Sequence, residues 1–361
     1  MKKLDLGKEK INTLLLSFAI PCVISMLINS VYNIVDQIFI GKGVGTLGNA
    51  ATNVIFPLVI IANAISGLIG NGASANLSLR LGEKKEDEAK KCIGSAITLT
   101  IIVSIVFSII IYLLLPNLVY LLGCTKNVYH YALDYGRIIL IGAPFMITYS
   151  AIASIIRADG SPKYSMILLV VGAIINIILD PILISVFHMG SLGAAIATVI
   201  GYLCSDLYFL GLLHKKSHCL STSFGYCKVS SEELKQILGV GITAALTNLM
   251  QSLTVIVLNQ FLLSYGSDRI AAMGIVLKIN MIVQLVMTGF AFGAVPLFGY
   301  LYGAKLHGEL KKLIRFCMSF LTAIALILTI VLCVKSAFFM KFFVQDSEMI
   351  TLGSQMLRWQ A

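Results

Sequence analysis

Charge is what this sequence has least of. Only 12% of its 361 residues are Asp, Glu, Lys or Arg, against about a quarter in soluble domains, while 58% are apolar. An ordinary soluble enzyme or scaffold is excluded by that balance. The short motifs of catalysis are missing as well: no HExxH, no GxSxG and no paired Cys–His nucleophile occurs, so a membrane-embedded enzyme is not expected. No Walker motif is present either. Gly41-Lys42-Gly43-Val44-Gly45 resembles part of a nucleotide loop but lacks the GK[ST] ending. The energy for any work must then come from an ion gradient or a partner protein. None of the eight cysteines forms a CxxC pair; Cys22, Cys92, Cys204, Cys317 and Cys333 fall in or beside apolar runs and read as small buried hydrophobes. His214, His218, Cys219 and Cys227 cluster between two runs without a standard ligand spacing, so no metal is expected there. A cleavable signal peptide is not evident, because the Lys-rich start leads into an apolar run too long for one.

What is present is a series of long apolar runs. A spanning helix needs about 20 mostly apolar residues, since lipid offers the backbone no hydrogen-bond partner. Nine spans are expected, near 12–34, 51–78, 92–115, 132–156, 164–187, 191–213, 237–263, 270–300 and 313–339, with a tenth starting near 349. The formal charge of +10 could suggest nucleic acid, but its placement argues otherwise. Lys2, Lys3, Lys8 and Lys10, then Arg80 to Lys91, Arg157 with Lys163, Lys215 to Lys235, and Lys305 to Arg315 all fall on one side of the alternating spans. This is the positive-inside pattern. It predicts an N-terminus inside and membrane lipid, not nucleic acid, as the surrounding partner.

Ser25 to Gln37 aligns with Asn248 to Gln260, bringing Asp36-Gln37 onto Asn259-Gln260. Leu81-Gly82-Glu83-Lys84 with Glu88 and Lys90-Lys91 likewise aligns with Tyr302-Gly303-Ala304-Lys305, Glu309 and Lys311-Lys312. An even number of spans separates the copies, so the repeat is parallel, with its axis along the membrane normal. The expected fold is an all-α polytopic membrane protein built as a two-lobe bundle. Residues 1–213 form a six-helix lobe, 214–236 an inner loop and 237–361 a second lobe, whose last two to three helices, about 80 residues by comparison with the first lobe, are expected to be missing.

An ionisable group within hydrocarbon costs at least about 2.5–3.5 kcal/mol, which makes each one a functional candidate. Asp36 lies near the outer end of span one. Asn176 and Asp180 are four apart, on one face of span five. Pro181 lacks an N–H and clashes with the carbonyl of Ile177, freeing it to face a cation. Thr198 of span six can add a hydroxyl. Two carboxylates, an amide and a hydroxyl make a hard-oxygen site for Na⁺ or a relay for H⁺, and two acids close together in a dry site cannot both stay charged. Pro21 and Pro181, each near an intramembrane acid, are expected to bend their helices. Met26, Asn29, Tyr32 and Asn33 share roughly one face of span one and suit a chamber for flat lipophilic cations, as do Gln251 and Gln284 from the second lobe. Lys278 is expected to snorkel outward.

The chain resembles the MATE family of multidrug and toxic compound extruders, in its bacterial MepA-like branch. Pro21 with Val35-Asp36-Gln37-Ile38-Phe39-Ile40-Gly41, Gly67 and Gly70-Asn71-Gly72-Ala73, Arg157-Ala158-Asp159-Gly160-Ser161-Pro162, and Asn176 with Asp180-Pro181 carry that resemblance. The resemblance implies a cation site formed by Asp36, Asn176, Asp180 and Thr198. It also implies that Gln251 stands where the NorM branch has an acid, so a second-lobe cation site of that type is not expected. The function implied is Na⁺- or H⁺-driven antiport of small organic cations across a bacterial cytoplasmic membrane, by a monomer without a cofactor. The competing reading is a lipid-linked sugar flippase of the wider MOP superfamily, which would favour Arg or Lys along its cavity. The spans hold few such residues.

Overall fold

The computed structural model describes residues 11–43, 46–122, 124, 126–216, 229–263, 267–341 and 347–360, and no strand occurs among them. The elements are α1 (Ile11–Gly43), α2 (Thr46–Gly82), α3 (Glu86–Leu121), α4 (Tyr129–Ala158), α5 (Pro162–Pro181), a π-helical turn (Ile182–Val186), α6 (Gly190–Lys216), α7 (Ser231–Leu263), α8 (Ser267–Gly303), α9 (His307–Val334), α10 (Ser336–Lys341) and α11 (Ser347–Gln360). Each expected span is matched by a helix, and most helices outrun the apolar runs at their ends. Polar end turns explain the difference. Glu86, Asp87 and Glu88 open α3, where carboxylates favour the positive end of the helix dipole. Pro162 opens α5, at a position whose N–H would have no helical partner anyway.

Among the described residues, eight of these helices are long and apolar enough to cross a membrane. The expected seventh span, α7, is 33 residues long but is not among the eight. It carries Thr243, Thr247 and Thr254, whose hydroxyls bond back to carbonyls of their own helix. The expected ninth span also differs. Helix α9 stops at Val334, because Lys335 (φ −105°, ψ 19°) leaves helical geometry, and residues 336–341 form the separate α10.

Within the first six helices, small residues let backbones touch, as membrane packing favours. Gly172 of α5 and Gly201 of α6 face each other so closely that a Cβ on Gly201 would lie 2.7 Å from the Gly172 carbonyl oxygen. Ser205 Oγ donates to the Leu168 carbonyl across the same pair at 2.9 Å. A Cβ on Gly70 would meet the Ala151 backbone of α4 at 2.7 Å.

The repeat is visible in backbone detail. Helices α1 and α7 are each 33 residues long, and α2 and α8 are each 37. Lys84 and Lys305, equivalent in the repeat, both adopt positive φ, at 62° and 57°. Beside them, a Cβ on Gly82 would strike the Tyr300 carbonyl, and one on Gly303 the Leu79 carbonyl. The two repeats thus meet where α2 and α8 cross at matching glycines. Two further crossings repeat the pattern: Gly72 of α2 abuts Ile237 of α7, and Gly293 of α8 abuts Ala19 of α1. All three contacts lie at the end of the bundle that carries the 83–85 and 304–306 turns. We call this the inner seam, after the side on which the basic turns are expected to lie.

Candidate functional site

The first-lobe site is assembled from three helices. Asp180 sits in the last turn of α5 and is fully buried, with Asn176 one turn before it at 2% exposure. The Asn176 amide satisfies both neighbours when its nitrogen donates to Asp180 Oδ2 at 2.9 Å and its oxygen accepts from Thr198 Oγ1 at 3.0 Å. Thr198 comes from α6 and is held there by the Gly172–Gly201 contact. From α1, Asp36 brings its carboxyl within hydrogen-bonding reach of Asp180. Asp36 is buried, and its Oδ1 has no hydrogen-bond partner. An acceptor without a donor, next to a second carboxyl, is what a bound proton or cation would satisfy.

After Pro181 the helix changes to the π-helical turn Ile182–Val186, the kind of irregularity that a proline's missing N–H permits. Pro21 is buried within α1, inside the helical run from Ile11 to Gly43. It lies between Ala19 and Val23, the residues that abut Gly293 and Gly289 of α8. Asp36 is fifteen residues further along the same helix, about 22 Å at 1.5 Å per residue.

The expected drug-chamber residues separate into two groups. Asn29 and Tyr32 make up the first. They line a small enclosed cavity inside the first lobe, with Tyr149, Asn176, Thr198 and Tyr202, of about 10 Å³. That volume suits one water and not a flat organic cation. Tyr32 is pulled inward because its hydroxyl meets the Tyr202 hydroxyl of α6 at 3.4 Å. Asn33 and Gln284 are exposed and Met26 is half-buried, so these three remain at accessible surface. Asn33 Nδ2 donates back to Asn29 Oδ1 at 3.0 Å. The side chains of Gln251 and Lys278, and those of His214, His218, Cys219 and Cys227, lie outside the described residues. A larger, apolar cavity of about 680 Å³ lies between α2, α8 and α9, lined by Leu79, Phe290, Phe298, Leu310 and Cys317 among others, with Asn76 its main polar edge.

Two arginines taken from the sequence as inner-loop charges are in fact buried at 7% exposure. Arg80 Nη1 pairs with Glu233 Oε1 of α7 at 2.9 Å, and its Nη2 donates to Gln236 Oε1 at 2.8 Å. Asn76 Nδ2 adds a bond to the Gln236 carbonyl at 3.0 Å. Arg157 of α4 donates to Ser154 Oγ at 3.0 Å and lies 5.6 Å from the Phe292 ring centroid of α8. The inner seam therefore carries a polar latch between α2 and α7 and a cation–π contact between α4 and α8. Asp206 of α6, whose Oδ1 is buried like that of Asp36, was also not singled out from the sequence. Its signal was available: Thr198, Tyr202 and Asp206 are spaced by four and form one stripe along α6.

The model of the MatE family matches residues 21–182 and 243–361. The chain belongs to the MatE family. The multidrug export protein MepA of Staphylococcus aureus is 27% identical over 97% of this chain and 78% of its own length. The probable multidrug resistance protein YoeA of Bacillus subtilis is 28% identical, over 94% and 75%. Among solved structures, the outward-facing conformation of a multidrug resistance MATE family transporter of the MOP superfamily superposes with a TM-score of 0.92 at 23% identity, over 99% of this chain and 80% of that one. A MOP superfamily transporter from Pyrococcus furiosus gives 0.90 at 23% identity, over 99% and 79%. At those identities the structures speak to fold alone. The fold is that of a multi-span helical MATE protein.

Proposed function

We propose that this chain exports small organic cations across a bacterial cytoplasmic membrane in exchange for Na⁺ or H⁺, with the coupling ion held by Asp36, Asn176, Asp180 and Thr198. The observation that carries the reading is the convergence of those four side chains from α1, α5 and α6, with Asp36 Oδ1 unpartnered beside Asp180. The relative MepA is a multidrug export protein and YoeA a probable multidrug resistance protein, and drug export fits a chain without nucleotide or catalytic motifs. The cavity inside the first lobe admits an ion or a water but no drug, so the cargo passes between the lobes and the ion binds within one of them.

With the N-terminus inside, the inner seam is the closed side and cargo leaves outward. Occupation of the acid pair would draw the outer part of α1 toward α5 and α6. Because α1 also contributes Ala19 and Val23 to the seam, one continuous helix links ion occupancy to the closure of the opposite end. Rocking of the two repeats about the seam then alternates access. A sugar-flippase reading finds no support in the buried bases: Arg80 and Arg157 are both engaged in the seam.

The test is ethidium efflux from vesicles with Na⁺ and pH gradients imposed separately. Efflux should follow at least one gradient and vanish in Asp180→Asn, which removes the charge and keeps the shape. Efflux indifferent to both gradients, or normal in Asp180→Asn, refutes the proposal.

A further inference from the structure

Asp206 has no place in the mechanism above, yet it lies well inside a span, on the stripe of α6 that begins at Thr198. At 1.5 Å per residue its Cα is about 12 Å further toward the inner end than Thr198. Its Oδ1 is buried without a hydrogen-bond partner, and no ion pair reaches it among the described residues. A carboxylate left charged and unpaired in such a place is expensive, and a purely structural acid would have acquired a donor.

Aromatic hydroxyls fill the space between Asp206 and the ion site. Tyr32 of α1 meets Tyr202 of α6, hydroxyl to hydroxyl, at 3.4 Å. Tyr149 of α4 stacks on Tyr202 with ring centroids 4.9 Å apart, lines the cavity together with Asn29, and lies in the field of Asp206. The cavity of about 10 Å³ is bounded by these same residues together with Asn176 and Thr198, and is of the size that holds a single bridging water. From the helices packed around α6, the titratable groups facing this path are Tyr32 and Asp36 from α1, Tyr135 and Tyr149 from α4, and Asp180 from α5, with Asp36, Tyr135 and Asp180 at its outer end. Tyr164 of α5 engages Tyr208 instead.

We propose that Asp206 is a second proton-carrying carboxyl of the first lobe, receiving the proton from the Asp36–Asp180 pair and releasing it toward the inner end. This rests on the antiport reading and commits its coupling ion to H⁺. The transfer is a chain of proton hops without any redox step. The protonated acid pair gives its proton to the Tyr32 oxygen or the cavity water. Each hydroxyl accepts one proton and passes on its own, and the Asp206 carboxylate becomes a neutral carboxyl. A sodium ion could not follow this path, since hydroxyl hopping carries only protons.

The test uses the purified chain in lipid vesicles and compares wild type with Asp206→Asn, Asp206→Glu, Tyr202→Phe and Asp180→Asn. Two readouts are taken: pH-gradient-driven ethidium transport as a function of pH, and the carboxyl C=O infrared bands that appear on acidification. Asp206→Asn is expected to bind ethidium normally, lose at least tenfold in driven transport and lose one infrared band. Asp206→Glu should restore much of the transport with a displaced pH profile. Tyr202→Phe, which keeps the stack and removes the hydroxyl, should slow transport several-fold. Transport by Asp206→Asn within twofold of wild type, an unchanged set of infrared bands, or no recovery in Asp206→Glu overturns the proposal. If Asp180→Asn is dead while Asp206→Asn is normal, only this inference fails. If Asp180→Asn transports normally, the antiport reading fails with it.

Discussion

The two repeats share a backbone and differ in chemistry. Helices α1 and α2 match α7 and α8 in length, in the positive-φ lysine after the second helix and in the glycines of the seam. Yet α1 carries the buried Asp36, where α7 carries Asn259 at the aligned position, and the seam itself is uneven. Where α2 crosses α7 it is latched by Arg80, Glu233 and Gln236. Where α1 crosses α8 it is an apolar cluster of Leu15, Phe18, Ala19, Phe290 and Ala294. A duplicated fold thus supplies matching crossings, and single-residue differences decide which half carries a buried acid at the aligned position and which crossing holds charge.

The largest expected effect tests the shared part. Gly72→Val and Gly293→Val each place side-chain atoms on a facing backbone, where nothing can yield cheaply. Both should lower the yield of monodisperse protein at least tenfold on size exclusion, and to a similar degree. Loss in only one would break the equivalence of the two crossings.

Next is the uneven part. Arg80→Met strands the partly buried Glu233 carboxylate and Gln236, and breaking a buried pair from one side costs about 3–5 kcal/mol. Thermal unfolding should fall by several degrees, and a cysteine introduced at Ser78 should become reactive. Adding Glu233→Gln to Arg80→Met should recover part of the loss, because no charge is then left alone. At the apolar crossing, Phe18→Leu should leave that cysteine unreactive. Thr198→Val comes third. It removes one hydrogen bond to Asn176, worth about 1 kcal/mol, and should lower ion-driven transport by several-fold while leaving dye binding unchanged. Smallest is Gln284→Ala: its side chain is exposed, and transport should stay within about twofold.

Much of this was legible from residue patterns. Apolar run length marked the helices because lipid forces backbone self-satisfaction. The i, i+4 spacing of Asn176 and Asp180 placed both on one face, and the motifs around Asp36 and Arg157 pointed to the family. What stayed hidden depended on which side of a helix faces which neighbour. Arg80 and Arg157 look like loop charges by position, yet burial in the seam depends on α7 and α8 approaching them. Tyr32 follows Asn29 by three residues and so reads as one face with it and Asn33, but Tyr202, distant in sequence, draws it inward. The end of α9 at Val334 was missed because the apolar run continues through Phe338 and Phe339, and only the backbone at Lys335 shows the break.

The central claim is that the repeats diverged so that ion coupling resides in the first. The direct test measures ion-driven ethidium transport in Asp36→Asn and in Asn259→Ala, the two aligned positions, side by side in the same vesicles. Asp36→Asn should lose driven transport while still binding ethidium, and Asn259→Ala should stay within about threefold of wild type. Equal losses at the two positions, or unimpaired transport in Asp36→Asn, would contradict the account.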